Sequence, residues 1–363
     1  MKTALFALAF ALCWLVPALS QADEDVRPRS AMREVALASA SENLAEEKSS
    51  AESLGCACDD ACCQDCCDSG LLSMLDSDDW NLVVTQTVGY GTGLALPITL
   101  TPNNGAVGNF ADDFEFLTNA ALQRRYQLDE DTTFLAGIGY YQSLHPEAHQ
   151  IDLMTPSAQA QLARKFGEDA IGAVDYSYQY YFLDGSSYVS QNRIETSWLQ
   201  RWSESWDWKI AGGYANADFR QPNDFLDSDN FFARLELLRY LDEERRNYLT
   251  TGYAYGRSNA ALSGFSYDVN NIFVGGNWRM NYDSRDNFAL TAAYADYNFL
   301  GPDPFVPAIL REDRIFAAAA VYTRTWSPRW SGFGSYTYLN SDSNVARQVY
   351  HTNLVSLGVT YSR

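Results

Sequence analysis

The chain has 363 residues and carries 46 acidic against 26 basic side chains, which gives a formal net charge of -20 at pH 7. This charge argues against a nucleic-acid-binding protein, because such a protein needs a positively charged surface for the phosphate backbone. Aromatic residues make up 14% of the chain, with 23 tyrosines among them. That composition is typical of a strand-rich folded protein and excludes a chain that is disordered throughout.

Residues 1–22, MKTALFALAFALCWLVPALSQA, have the pattern of a secretory signal peptide. Lys2 precedes an apolar segment, and small residues close it, so cleavage is predicted after Ala22. Cys13 lacks the small preceding residue of a lipoprotein signal, which predicts export without lipidation. The rest of the sequence has no apolar run long enough for a membrane-spanning helix.

Residues 23–79 are predicted to be a periplasmic tether that is disordered or helical. The segment 56–67, CACDDACCQDCC, contains six cysteines: Cys56, Cys58, Cys62, Cys63, Cys66 and Cys67. Three interpretations stay open: disulfides within or between chains, a zinc or copper(I) site, and a reactive tail. Export favours oxidation, and the absence of a nearby histidine excludes mixed Cys and His zinc patterns. Apart from this metal alternative, no cofactor is predicted.

From Trp80 to Arg363 the sequence consists of about fourteen strand-length segments. They start near residues 81, 113, 132, 150, 171, 188, 206, 229, 247, 267, 286, 313, 329 and 349. An even number is what single-chain bacterial barrels require. The fold prediction for residues 80–363 is therefore all-β, a transmembrane antiparallel β-barrel of about fourteen strands, with a secreted β-sandwich as the alternative.

The stretch 174–189, VDYSYQYYFLDGSSYV, shows the alternation most clearly. Val174, Tyr176 and Tyr178 share one parity, while Asp175 and Gln179 share the other. A period of two indicates a strand with one apolar and one polar face. In a sandwich the apolar face would turn to a core, and in a barrel it would turn to lipid. The tyrosine and tryptophan content and the lack of a capping helix favour the barrel, with the tyrosines facing lipid.

The segments between the predicted strands differ in length. Short polar turns are predicted at 127–132, 203–206, 241–246, 281–286 and 326–329, and near residue 167. Longer joints, richer in Pro and Gly, are predicted at 97–109, 220–229 and 300–308. Such alternation is typical of the periplasmic and extracellular ends of an outer-membrane barrel.

The polar parity of the strands gives the candidate lumen residues. They are Glu115, Arg125, Asp175, Arg193, Glu195, Arg201, Lys209, Arg234, Glu236 and Arg279, with Lys165 and Asp207 on the same parity. Facing rows of opposite charge would create a transverse field that selects solutes. Alternatively, the charges form ion pairs that only hold the lumen together. Both interpretations stay open.

Catalytic patterns are missing from the sequence. HPEAH at 145–149 places His145 and His149 four residues apart, but Pro146 predicts a loop and not the helix that such a metal pair needs. His351 lies in the last predicted strand, and no G-x-S-x-G is present. The chain is therefore predicted not to be an enzyme.

Two runs carry a resemblance: YSYQYYFLDGSSYVSQNRIETSWLQRW at 176–202 and YTYLNSDSNVARQVYHTNLVSLGVTYSR at 336–363. They resemble the barrel domains of surface lipoprotein assembly modifiers, outer-membrane proteins whose barrel follows tetratricopeptide repeats. The resemblance covers about residues 80–363 and implies a fourteen-stranded barrel. The repeats are missing, since residues 23–79 are too short for two of them. The chain also ends on Arg363 and not on an aromatic residue.

These observations predict an outer-membrane protein of a Gram-negative cell envelope, with its N-terminal tail in the periplasm. The first hypothesis is a passive, porin-like channel for small hydrophilic solutes or ions. The alternatives are a secretion or surface-assembly barrel with a periplasmic partner, and an envelope anchor crosslinked through its cysteines as disulfide-linked oligomers. Other expected partners are outer-membrane lipid and the barrel assembly machinery.

Overall fold

The computed structural model describes residues 80–95, 99–101, 105–107, 110–280, 285–304, 306–345 and 348–363. The predicted signal peptide, the tether and its six cysteines lie outside the described residues. Within them, fourteen antiparallel strands form one closed barrel in the order β1-β16-β15-β14-β13-β12-β11-β10-β9-β8-β7-β6-β5-β4. The predicted fold class and strand number are thus confirmed.

The barrel strands are long and follow one another in sequence. They are β1 Trp80–Ala95, β4 Phe110–Gln127, β5 Thr132–Leu144, β6 Leu153–Lys165, β7 Ala170–Leu183, β8 Ser186–Ser203, β9 Trp206–Phe219, β10 Ser228–Tyr240, β11 Tyr248–Ala260, β12 Tyr267–Arg279, β13 Asp286–Asp303, β14 Val306–Ser327, β15 Trp330–Ser343 and β16 Tyr350–Ser362. Two short strands, β2 Thr99–Thr101 and β3 Gly105–Val107, pair with each other outside the barrel. Single 3-10 turns lie at His149–Ile151, Asp224–Leu226 and Ser263–Phe265. No helix in the described part of the chain has the length and apolar character of a membrane span.

The first and last strands close the barrel. The hydroxyl groups of Thr85 and Thr360 form a hydrogen bond across this seam, with 3.0 Å between the two oxygens, although the residues are 275 positions apart in sequence. At the end of the seam, the backbone N–H of Leu82 donates to Arg363 at 2.8 Å, and the N–H of Arg363 donates back to Leu82 at 2.9 Å. The seam is therefore a complete antiparallel ladder like those inside the sheet.

The two ends of the barrel carry different joints. We call the end at which β4, β6, β8, β10, β12 and β14 finish the turn end, and Trp80 and Arg363 lie there too. The opposite end, at which β1, β5, β7, β9, β11, β13 and β15 finish, is called the loop end. At the turn end, the N–H of Asp131 donates to the carboxylate of Asp129 at 2.9 Å and lowers the pKa of Asp129.

The predicted difference in joint length holds only in part. The short turns do share one end, but at the loop end only two residues separate β7 from β8, and only two separate β13 from β14. The loop predicted at 300–308 is wrong, because β13 continues to Asp303 and β14 begins at Val306. Its prolines are accommodated where the pairing register shifts around Pro302, since a bulge tolerates a missing N–H.

The two faces of the sheet follow the predicted parity. Val174, Tyr176 and Tyr178 point outward and are 45%, 47% and 37% exposed, whereas Asp175 and Gln179 point inward and are 8% and 2% exposed. The same alternation continues through the neighbouring strands, because the pairing register keeps like faces together. The inward polar face is thus the wall of the lumen.

Three inward phenylalanine rings occupy the space next to glycines of the neighbouring strand. An added Cβ at Gly213 would stand 2.6 Å from Cζ of Phe232, and one at Gly252 would stand 2.3 Å from Cζ of Phe273. An added Cβ at Gly358 would likewise stand 2.2 Å from Cζ of Phe333. The glycines leave room for the rings, so the rings lie against the wall of the barrel.

Candidate functional site in the barrel lumen

All ten predicted lumen residues lie on the inward face of the barrel. The pairing register places Asp175 opposite Glu195, Arg201 opposite Asp207, and Lys209 opposite Glu236. Glu115, Arg125, Arg193, Arg234 and Arg279 occupy the same parity on their strands. Their role in selectivity stays a prediction, but their arrangement can now be described.

Four of these residues form one buried ion cluster on β8 and β10. Arg193 donates to Glu195, and Nη2 of Arg234 lies 3.6 Å from Oε1 of Glu195. Nε of Arg234 also lies 3.9 Å from Oε2 of Glu236. All four side chains are less than a tenth exposed, and the guanidinium of Arg193 lies 4.6 Å from the ring centre of Phe232. Two cations and two anions neutralise each other here, which favours the ion-pair interpretation for this cluster.

A small polar cavity adjoins the cluster. Its volume is about 70 Å³, and its lining includes Gln123, Gln159, Gln161, Asp175, Arg193 and Glu195. The three glutamines offer both donors and acceptors, and the cavity is large enough to hold water molecules. The lumen next to the ion cluster is therefore hydrophilic.

Cations dominate the inward face near the turn end. Arg125, Lys165, Arg201, Lys209 and Arg279 are half-buried there. The acidic residue closest in sequence to them, Asp207, is engaged elsewhere: Nη1 of Arg245 lies 3.0 Å from its Oδ2, and the hydroxyl of Tyr240 donates to the same oxygen at 3.1 Å. The turn-end part of the lumen wall thus carries an excess of positive charge.

Glu115 has an additional role at the loop end that the sequence did not reveal. The hydroxyl of Ser143 donates to Oε1 of Glu115 at 2.7 Å, and Nε2 of His145 lies 3.4 Å from the same oxygen. Nδ1 of His145 lies 3.5 Å from Asp152, which stands just before β6. Glu115 therefore anchors the joint 145–152. The sequence could have indicated this contact, because His145 directly follows an alternating strand.

The segment HPEAH at 145–149 does not form an α-helix. The segment HPEAH is a joint that runs into the 3-10 turn His149–Ile151, as predicted. No group of three or more His, Cys, Asp or Glu side chains suited to a metal occurs in the parts of the chain that the structure describes.

A second buried ion pair was missed by the sequence reasoning. Nε of Arg311 donates to Oδ1 of Asp313 at 2.9 Å, and the two side chains are 2% and 0% exposed. Ser343 also donates to Asp313, and Arg311 lies 4.3 Å from the ring centre of Phe299. The strand that contains this pair was predicted to start only near residue 313, whereas β14 begins at Val306, so Arg311 was left outside a strand.

Comparisons with known proteins find outer-membrane proteins whose sequence identity to this chain is low. No protein-family model matches the chain, and no curated protein matches it. A FadL homologue of Pseudomonas aeruginosa is 11% identical, with a TM-score of 0.44 over 80% of this chain and 91% of that one. OmpT, an outer membrane protein of Vibrio cholerae, is 8% identical, with a TM-score of 0.43 over 80% of this chain and 99% of that one. OccAB4 of Acinetobacter baumannii is 8% identical, with a TM-score of 0.40 over 79% of this chain and 99% of that one. Scores at this level assign neither a family nor a function.

Proposed function

We propose that the chain is an outer-membrane channel for small hydrophilic solutes or ions. The observation that carries this proposal is the contrast between the two faces of a closed barrel. The outward face exposes a continuous apolar surface, whereas the inward face is polar and charged. Ile138, Ile272 and Leu357, on three different strands, are 62%, 61% and 63% exposed outward. Such a continuous apolar surface is stable in lipid and would promote aggregation in water.

The tryptophans support a membrane position. Eight of the nine lie in the described residues, and all eight point outward near the turn end: Trp80, Trp198, Trp202, Trp206, Trp208, Trp278, Trp326 and Trp330. Arginines accompany them, with Arg124 lying 5.4 Å from the ring centre of Trp80 and Arg239 lying 5.5 Å from that of Trp206. Tryptophan and arginine side chains together are typical of a membrane interface.

The loop-end half of the outer face has a different composition. Outward tyrosine hydroxyls donate to Asn or Asp side chains of the next strand, in the pairs Tyr176–Asn192, Tyr214–Asp229, Tyr253–Asn270, Tyr255–Asp268 and Tyr336–Asn353. Because each hydroxyl is satisfied within the sheet, the rings can face lipid while their polar groups stay bonded. We assign the turn end to the periplasm, since short turns occupy that side in such barrels.

Fluorescence quenching tests the proposed membrane position. The full chain folded into bilayers should show strong quenching of tryptophan emission by lipids brominated near the headgroup, and weak quenching by lipids brominated near the chain ends. The physical reason is that all eight described tryptophans lie towards the turn end of the outer face. Equal quenching by both lipids would contradict a single interfacial belt.

Conductance of the folded full chain in a planar lipid bilayer tests the channel itself. Steady single-channel currents are expected, because the polar lumen offers a path that lipid does not. A barrel that is shown to be folded by heat-modifiable gel mobility, but that carries no current, would contradict the proposal.

A further inference from the structure

We infer that the small polar cavity beside the ion cluster is a binding site for a neutral polyol of the size of glycerol. This inference rests on the proposed channel and names the class of solute that its lumen would recognise. The cavity has a volume of about 70 Å³, and its lining comes from five consecutive strands, β4 to β8. It is therefore a feature of one side of the lumen wall.

One row of cross-strand neighbours forms the first part of the cavity. Gln123 and Gln159 flank Gly137 on β5. Gln159 in turn stands opposite Ser177, and Ser177 stands opposite Arg193. Neighbours of this kind have Cβ atoms about 5 Å apart. An added Cβ at Gly137 would stand 2.9 Å from Cγ of Gln123 and 3.4 Å from Cγ of Gln159, so the glycine leaves space for both amides.

A second, adjacent row carries the carboxylates of the cavity. Gln161 stands opposite Asp175, and Asp175 stands opposite Glu195. Asp175, Glu195 and Arg193 are each less than a tenth exposed, and Arg193 donates to Glu195. The cavity thus has a charged side that is fixed by the ion cluster and an amide side that is formed by the glutamines.

The amides of Gln123, Gln159 and Gln161 offer their hydrogen-bonding groups to the cavity. Within the part of the chain that the structure describes, no other residue bonds to these three amides. Each amide has two N–H donors and one acceptor oxygen. A solute that displaces water from half-buried amides must satisfy both kinds of group. Hydroxyl groups donate and accept, whereas a halide ion only accepts and a metal cation meets only acceptors.

The charges around the cavity are balanced. Three cations meet three carboxylates there: Arg193, Arg234 and Lys209 against Asp175, Glu195 and Glu236. Lys209 belongs to this group because it stands opposite Glu236 and interacts electrostatically with Glu195. A single ion in the cavity would lose hydration and add a charge without a partner, which costs free energy. A neutral solute avoids this cost.

The volume of the cavity limits the solute to a small polyol. One water molecule needs about 10–15 Å³ of such space, so the cavity of about 70 Å³ holds roughly five to seven water-sized groups. The carbon and oxygen atoms of glycerol match this size. Its hydroxyl groups can replace the hydrogen bonds of the water molecules that they displace, which preserves affinity.

The test measures the binding of glycerol to the folded full chain in detergent by saturation-transfer NMR. A variant with Gln159→Leu and Gln161→Leu should bind glycerol about tenfold or more weakly, because it loses hydrogen bonds to the solute. If this variant does not fold, Gln161→Leu alone should weaken binding about fivefold. The control is Gln142→Leu, since Gln142 lies on the outward face of β5 and should not alter binding.

Probes of similar size test the proposed class of solute. Propanol lacks most of the hydroxyl groups, acetate is an anion and ethylammonium is a cation. Each should bind more weakly than glycerol, because a site built to hydrogen-bond hydroxyl groups rejects a compound without them. Stronger binding of acetate, ethylammonium or propanol than of glycerol would overturn the inference.

The outcomes separate this inference from the proposed channel. Absence of glycerol binding, or equal binding by the wild type and the glutamine variant, would overturn the polyol site even if the barrel conducts ions. A folded barrel that is silent in the conductance experiment, but binds glycerol through these glutamines, would overturn the channel and support the site.

Discussion

Glu195→Gln is expected to lower the free energy of unfolding by about 3 kcal/mol, because breaking a buried ion pair leaves its cations without their counter-charge. Glu195 is 1% exposed, receives a hydrogen bond from Arg193 and lies 3.6 Å from Arg234. The substitution keeps the size of the side chain but removes the negative charge shared by both guanidinium groups. The measurement is urea unfolding of the folded barrel in detergent, followed by heat-modifiable gel mobility.

Asp218→Asn provides the matched control for Glu195→Gln. Asp218 also pairs with an arginine, Arg220, at 3.2 Å, but the two side chains are 51% and 47% exposed. Exposed pairs contribute about 0–1 kcal/mol, so this variant should unfold close to the wild type. If both variants lost the same stability, the ion cluster in the lumen would not be the buried structural element described above.

Gly252→Ala is expected to destabilise the barrel by about 1–3 kcal/mol, since an added methyl group overpacks the wall. The new Cβ would lie 2.3 Å from Cζ of Phe273 and 2.5 Å from the backbone oxygen of Leu235. The ring of Phe273 could move, but the backbone of β10 cannot retreat without breaking its ladder. The same urea titration measures the loss.

Gly334→Ala is the control for Gly252→Ala. Gly334 lies on the outward face of β15, and the nearest atom to an added Cβ is Cδ2 of Leu357, at 3.3 Å. This methyl group can rotate away, so a small effect is expected. A loss at Gly334 equal to that at Gly252 would mean that glycine matters for backbone reasons and not for the ring that covers it.

The strands and their faces could be predicted because each strand separates apolar from polar residues with a period of two. Around Tyr176 the pattern was unambiguous, and the inward position of Asp175 followed from it. The prediction of a loop at 300–308 was wrong because it relied on prolines, which usually indicate a loop. Here a bulge around Pro302 lets β13 and β14 continue.

The ion pairs could not be predicted from the same pattern. A shift of one residue between strands exchanges the two faces, but a shift of two residues preserves them and changes every cross-strand neighbour. The parity of Arg234 and Glu195 was therefore readable, whereas their 3.6 Å contact depends on a register that the sequence does not state.

The seam between β1 and β16 imposes an order on folding. The Thr85–Thr360 bond joins residues 275 positions apart, so it forms only after all the strands between β1 and β16 have been synthesised. Until then both outer strands present unpaired N–H and C=O groups, and such open edges recruit other chains. Closing so large a loop is also slow. We therefore expect the folding chain to need a factor that shields both edges until β16 pairs with β1. This requirement is kinetic and does not depend on what the finished barrel transports.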